Sequence, residues 1–307
     1  MTTLVFGHKS PDTDSTGSPI IWAWYLNEVK GHTAEPALLG DPNTEAAWML
    51  KRWELNRPRI IDGVEPGQEV VVVDTNNPAE LPEDINKADI RQIIDHHRLV
   101  GGLQTKGPID IRVEPLACTA TIMHDMIGEH AAQMPDPVKG AMLSCILSDT
   151  LEFRSPTTTD HDREVAEKLA SELGIQIPAY AAEMFAAKSD VSSFSDEDLL
   201  RMDSKQHETD GTTFRVSVLE TTAPDTVLKR KDGLIEAMDK VAQEDGVDHV
   251  LFFLIDILES EATLLVPNDE VRRIAEKSFS TVCGEHDYMV LPGIVSRKKQ
   301  IIPNITV

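Results

Sequence analysis

Three short apolar runs early in the chain each end in a side chain that can bind a metal or move a proton: LVFGH (4–8), VVVVD (70–74) and IIDHH (93–97). Helical patterns lie between them, and strands alternating with helices are the signature of βαβ units around a mostly parallel sheet. In an open sheet of that kind the C-terminal ends of the strands share one edge, where ligand crevices form. His8, Asp74 and His96 can therefore converge although they are far apart in sequence.

The segment 4–6 leads into a helix through Ser15, with Ile20, Ile21, Trp24 and Tyr25 as its apolar face. The strand EPALL (35–39) precedes a helix over 43–55 with Asn43 as N-cap, and further strands are read at 69–77 and 90–97. Helices follow at 118–130, 137–150 and 160–173. Around 189–197 the composition turns to Ser and Asp with little periodicity, which marks a hinge. Beyond it, strands at 212–220, 249–257 and 262–266 flank a helix at 224–245. The expectation is an α/β N-terminal domain (1–188), a linker (189–195) and a smaller C-terminal α/β domain (196–307).

The net charge of −23 over 307 residues argues against a general nucleic-acid surface, because phosphate backbones need a field of the opposite sign. An anionic substrate must then be met by a local cluster of cations or metals. Cys118, Cys145 and Cys283 are widely spaced and form no CxxC pair, so free, buried thiols in a reducing compartment are expected. With no signal-like start and no apolar run of membrane-spanning length, the chain reads as cytoplasmic with no membrane partner. The sequence holds no P-loop, no GxGxxG after a strand and no GxSxG elbow.

The stretch GHKSPDTDS (7–15) crowds His8, Asp12 and Asp14 into one loop, and like charges so close raise each other's pKa unless a cation intervenes. With Asp74, His96 and Asp149, the last ending a helix where the macrodipole disfavours a carboxylate, they form a candidate ligand set. Carboxylates and imidazoles without thiolates suit Mn²⁺, Mg²⁺ or Co²⁺, and a set this large suits two ions roughly 3.5–4 Å apart. The blander reading of each aspartate is a turn former or cap, with Asp14 or Ser15 capping the first helix. In SRKKQ (296–300), Arg297 and Lys298 offer a guanidinium fork and a point charge for phosphate, and Lys205 is a further isolated cation; a protected strand edge is the alternative.

Taken in order, GHKSPDTDS, VVVDTNN (71–77), DHH (95–97), SDT (148–150) with RSPT (154–157), and the late SRKKQ resemble the manganese-dependent family II inorganic pyrophosphatases of the DHH phosphoesterase superfamily. The resemblance covers essentially the whole chain. It implies that His8, Asp12, Asp14, Asp74, His96 and Asp149 bind two Mn²⁺ or Co²⁺ ions per subunit, and that His97 faces substrate. It further implies that Lys205, Arg297 and Lys298 grip the phosphates of pyrophosphate arriving with Mg²⁺, that a metal-bridging hydroxide attacks, and that subunits pair as a homodimer. Relatives often carry His after the third-strand aspartate, where this chain has Thr75. An exopolyphosphatase of the same superfamily, or a metal-binding regulatory protein without catalysis, would keep the same ligands.

Overall fold

The computed structural model describes residues 2–282 and 287–307. The chain forms two compact units, Met1–Ala187 and Lys188–Val307. In the first lie β1 (Thr3–Phe6), α1 (Thr13–Glu28), β2 (Ala34–Leu38), α2 (Thr44–Arg52), β3 (Arg59–Ile60), β4 (Glu69–Val73), β5 (Asp89–Asp95) and β6 (Asp110–Val113). They are followed by α3 (Thr119–Ile127), α4 (Asp136–Asp149), α5 (Asp160–Leu173) and α6 (Ile177–Lys188).

The six strands are all parallel, in the order β3-β2-β1-β4-β5-β6. The chain runs outward from β1 through β2 to β3, then returns to place β4 on the other side of β1. That reversal makes the gap beyond the ends of β1 and β4 the switch point of the sheet, where ligand crevices open. Phe6 pairs with Val72, so His8 and Asp74 emerge side by side. The valines of β4 are buried, Val70, Val72 and Val73 completely, and each contributes about 1.5–3 kcal/mol of transfer free energy.

One face of this sheet is covered by loops and short 3-10 turns rather than α-helix: Ile61, Val64, Leu81, Ile85 and Ala88 pack on Leu4, Phe6, Val70 and Val72. On α1 the expected apolar face is incomplete, because Trp22 is 2% exposed and Trp24 half-buried. A helix enclosed on several sides has no single apolar stripe for periodicity to find. The strands expected at 69–77 and 90–97 end at Val73 and Asp95, the first because Asp74 takes a left-handed conformation (φ 57°). The helix expected over 118–130 ends at Ile127, where Gly128 adopts φ 58°. Cys118 and Cys145 are buried free thiols, and Cys283 lies outside the described residues. No helix among the described residues is long and apolar enough to cross a membrane.

The second unit holds α7 (Asp196–Arg201), β7 (Ser204–Thr209), β8 (Thr212–Thr221), α8 (Pro224–Leu228), α9 (Lys231–Asp245), β9 (His249–Asp256), β10 (Glu261–Leu265), α10 (Asp269–Phe279) and β11 (Tyr288–Pro292). Its sheet, β11-β10-β9-β8-β7, is antiparallel except for β8 beside β9. Alternation along β9 separates two cores: Val250, Phe252 and Leu254 meet α7, α8 and α9, while Leu251, Phe253 and Ile255 meet α10 and the C-terminal Ile301 and Ile305. The single helix expected over 224–245 is broken between Leu228 and Lys231. The SRKKQ segment forms a π-helical turn over Arg297–Ile301, not a strand edge.

Close approach between helices of the first unit depends on missing side chains. A Cβ on Gly140 of α4 would lie 2.0 Å from Cε2 of Trp53, and the indole is fixed by its 2.7 Å hydrogen bond to the Tyr180 hydroxyl. Gly140→Ala should therefore lower the stability of the first unit by about 1–3 kcal/mol. The urea midpoint followed by tryptophan fluorescence checks this, and an unchanged midpoint would mean that the indole yields at no cost.

Candidate metal centre

The loop after β1 is shaped by one helix start. Asp12 is the N-cap of α1, its Oδ1 accepting the Ser15 N–H at 2.9 Å, so the cap is neither Asp14 nor Ser15. Its other oxygen, Oδ2, stands 3.7 Å from Nε2 of His8. The Ser15 hydroxyl in turn accepts the His8 N–H at 2.8 Å, and Gly7 permits this because a Cβ there would sit 2.0 Å from Ser15 Oγ.

Asp74, 2% exposed, is the common member of the site. Its Oδ2 lies 3.5 Å from Nε2 of His8 and its Oδ1 lies 3.4 Å from Nε2 of His96. Each oxygen of one carboxylate thus faces a different imidazole. His96 directs Nδ1 to the Leu116 carbonyl at 3.2 Å, which places a proton on Nδ1 and leaves Nε2 as the atom that could bind a metal. Asp14 is buried in the first turn of α1, with Ser18 Oγ donating to Oδ1 at 2.6 Å and the Thr119 N–H to Oδ2 at 2.8 Å. Asp149 ends α4, and its Oδ2 is buried with no hydrogen-bond partner.

These side chains form three interlocking clusters whose potential ligand atoms lie within 4.8 Å of one another: His8, Asp12 and Asp74; Asp14, His96 and Asp149; and Asp74, His96 and His97. All six expected ligand residues are brought together, with His97 beside them. The cations Lys205 and Lys298 lie in the second unit, exposed and without an ion-pair partner among the described residues. Arg297, next to Lys298 in sequence, pairs with Asp203 Oδ1 at 2.8 Å and donates to its carbonyl at 2.6 Å.

Electrostatics describe a nest with more acids than its two imidazoles can balance. Burial works to lower the His8 pKa, but its hydrogen bonds to Asp12 and Asp74 and their charge raise it to about 10. Burial likewise opposes the charged form of His96, yet Asp74 and Asp14 raise it to about 9. Asp74 would be raised by burial, but the two imidazoles bring it down to about 2. Asp14 is raised to about 6 by burial and the charge of Asp74, and Asp149 goes well above the carboxylate range by burial and the charges of Asp14 and Asp74. An orphaned carboxylate oxygen among mutually repelling acids fits a divalent cation. Cys118 and Cys145 are near, but burial and the neighbouring carboxylates hold both thiols protonated, so the donors are oxygen and imidazole nitrogen, the set for Mn²⁺ rather than a thiolate zinc site.

Residues 2–149 match the DHH family, N-terminal domain, and residues 182–307 match the DHHA2 domain. A protein of Lactobacillus acidophilus named "probable manganese-dependent inorganic pyrophosphatase" is 36% identical over 99% of this chain and 97% of its own. The chain belongs to the family II, manganese-dependent inorganic pyrophosphatases. A similarly named protein of Shouchella clausii is 36% identical over 99% of this chain and 97% of its own. A solved structure from Methanococcus jannaschii, described as a candidate family II inorganic pyrophosphatase, has 32% identity and a TM-score of 0.61, covering 98% of this chain and 97% of its own. An exopolyphosphatase-related protein from Bacteroides fragilis shares the fold at 14% identity and a TM-score of 0.52, covering 98% of this chain and 89% of its own.

Of the groups that support these side chains, Thr119 was not singled out from sequence. Asp95, fully buried, accepts from both the backbone N–H and Nδ1 of His97 at 3.0 and 2.9 Å, and its other oxygen takes the Asn76 amide at 2.5 Å. The hydrogen bond to Asp95 raises the His97 pKa. Thr119 donates its hydroxyl to Asp74 Oδ1 at 3.2 Å. At the position where the resemblance has His, the Thr75 hydroxyl is committed to Glu80 at 2.7 Å and to the Asn77 N–H at 3.1 Å. Asp95 sits in DHH and was legible as part of that motif; nothing local marks Thr119.

At pH 7 the metal-free protein holds His8 and His96 charged, since both titrate near 9–10, and coordination needs their lone pairs. Mn²⁺ binding should therefore release protons, those of His8 and His96 among them, and affinity should rise with pH up to about pH 10. Calorimetric titration in buffers of different protonation enthalpy checks it; heats independent of buffer would show that the imidazoles are already neutral.

Proposed function

We propose that the protein hydrolyses inorganic pyrophosphate to two orthophosphates at a centre of two Mn²⁺ or Co²⁺ ions, the substrate arriving with Mg²⁺. The observation that carries this reading is the Asp74 carboxylate, whose two oxygens face His8 and His96 separately while two further triads complete the ligand set around it. His8, Asp12 and Asp74 would hold one ion, and Asp14, Asp74, His96 and Asp149 the other. When bound, such a pair supplies a water of lowered pKa as nucleophile and a clamp on phosphate oxygens.

The remaining chemistry belongs to side chains. His97, with its Nδ1–H held by Asp95, is half exposed and presents Nε2 to orient the substrate or hold a proton near the leaving group. Lys205, Arg297 and Lys298 of the second unit neutralise the non-bridging phosphate oxygens, Arg297 by exchanging Asp203 for phosphate. The 1–188 segment then acts as the metal-binding catalytic domain and 196–307 as the substrate-binding domain, joined by 189–195. A homodimer is supported by β6, an edge strand with Ile111 53% exposed. A cytoplasmic setting is supported by the free thiols of Cys118 and Cys145.

Phosphate release from pyrophosphate, tripolyphosphate and a dinucleotide, after Mn²⁺ loading and assay in Mg²⁺, tests the reading. Preference for pyrophosphate, lost on chelation, is expected; equal release from tripolyphosphate would move the assignment to polyphosphate hydrolysis. Lys298→Ala should cut kcat/KM by about 100-fold or more with the melting temperature unchanged, because the side chain is exposed and has no ion pair among the described residues. Near-normal turnover would remove Lys298 from the site.

A further inference from the structure

Asp162 is a fully buried carboxylate outside the ligand set, and the donors that reach it among the described residues are neutral. Within the capping box of α5 its Oδ2 accepts the Thr159 N–H at 3.0 Å and the Thr159 hydroxyl at 2.6 Å. The same oxygen also takes the Ala117 N–H at 3.1 Å, and Oδ1 takes the Thr121 hydroxyl at 2.7 Å. The last two bonds leave α5 and bracket the start of α3, whose own N-cap, Cys118, provides no side-chain cap.

Residues 116–119, the stretch pinned in this way, serve three ligands of the centre. The Leu116 carbonyl takes Nδ1–H of His96, the Thr119 N–H donates to Asp14 Oδ2, and the Thr119 hydroxyl donates to Asp74 Oδ1. The N-terminus of α3 is thus held between two carboxylates, Asp14 on the ligand side and Asp162 on the other. A negative charge at a helix start is favourable, so both acids pull on the same dipole. Loss of Asp162 would leave that helix start held only from the ligand side, by Asp14 and Asp74, and free the segment to shift.

We infer that Asp162 is a positioning residue for the metal centre: acting through Ala117 and Thr121, it fixes the segment that orients Asp14, Asp74 and His96. This rests on the two-metal reading of the site. Groups bonded directly to ligands, as Leu116 and Thr119 are here, typically contribute 10–100-fold to metal affinity, and Asp162 acts on both through the segment it pins.

The test is Mn²⁺ affinity by calorimetry, with the Mn²⁺ electron paramagnetic resonance spectrum of the bound ion, for wild type, Asp162→Ala and Thr121→Val. Thr121→Val removes one hydroxyl at constant shape and remains informative where Asp162→Ala does not fold. Asn27→Ala serves as the destabilised control, because Asn27 ties the far end of α1 to Ala34 by two hydrogen bonds and touches no ligand. The expected result is affinity at least tenfold weaker and an altered spectrum in both Asp162→Ala and Thr121→Val, with Asn27→Ala binding as wild type. Wild-type affinity in Thr121→Val, or equal weakening in Asn27→Ala, overturns the inference. Failure of the wild-type protein to bind Mn²⁺ at all overturns the two-metal reading itself and this inference with it.

Discussion

A charged carboxylate buried at the end of a central strand governs this molecule. Asp74 is enclosed, left-handed in backbone and set between two imidazoles, and an unpaired charge in such a place would cost several kcal/mol. Its pairing with His8 and His96 requires β1, β4 and β5 to be neighbours in that order. The sheet supplies this by reversing direction between β1 and β4, and the in-register pairing of Phe6 with Val72 sets His8 beside Asp74. The completely buried valines of β4 hold the strand that carries it.

The protein accepts further electrostatic cost around that point. Asp14 and Asp149 are driven toward the neutral form by burial and by Asp74, and Asp149 stands at the C-terminus of α4, where the helix dipole adds to the repulsion. A left-handed non-glycine residue at Asp74 costs a further ~1–3 kcal/mol. Sites arranged in this way are more strained without their cations than with them, and ion binding relieves the repulsion. The candidate ligand side chains are also not left to find their orientation alone: Ser18 and Thr119 hold Asp14, Thr119 also holds Asp74, the Leu116 carbonyl holds His96, and the Ser15 N–H holds Asp12.

Much of this was readable along the chain because strand ends and loop motifs are local. GHKSPDTDS, VVVVD and DHH each name their own ligands, and the alternation of strand and helix patterns indicates a parallel sheet. Periodicity failed where burial is not one-sided. α1, enclosed on several sides, buries Trp22 rather than Trp24, and the polar edge strand β7, SKQHET, carries no apolar run to find. The ends of β4 and α3 were misjudged because left-handed turns at Asp74 and Gly128 stop elements whose composition would continue them.

The sequence by itself determined the kind of chemistry: four aspartates, two histidines and no thiolate in the candidate ligand motifs suit divalent ions held by oxygen and imidazole nitrogen. Only the tertiary structure decided that one carboxylate, Asp74, faces both imidazoles, since that depends on which strands are neighbours and in what register. Tertiary structure alone also selected Thr119 and Asp162, more than forty residues apart, as parts of one hydrogen-bonded scaffold. Residue type and spacing report what a side chain can bind; its partner across the fold is chosen by packing, which no local pattern records.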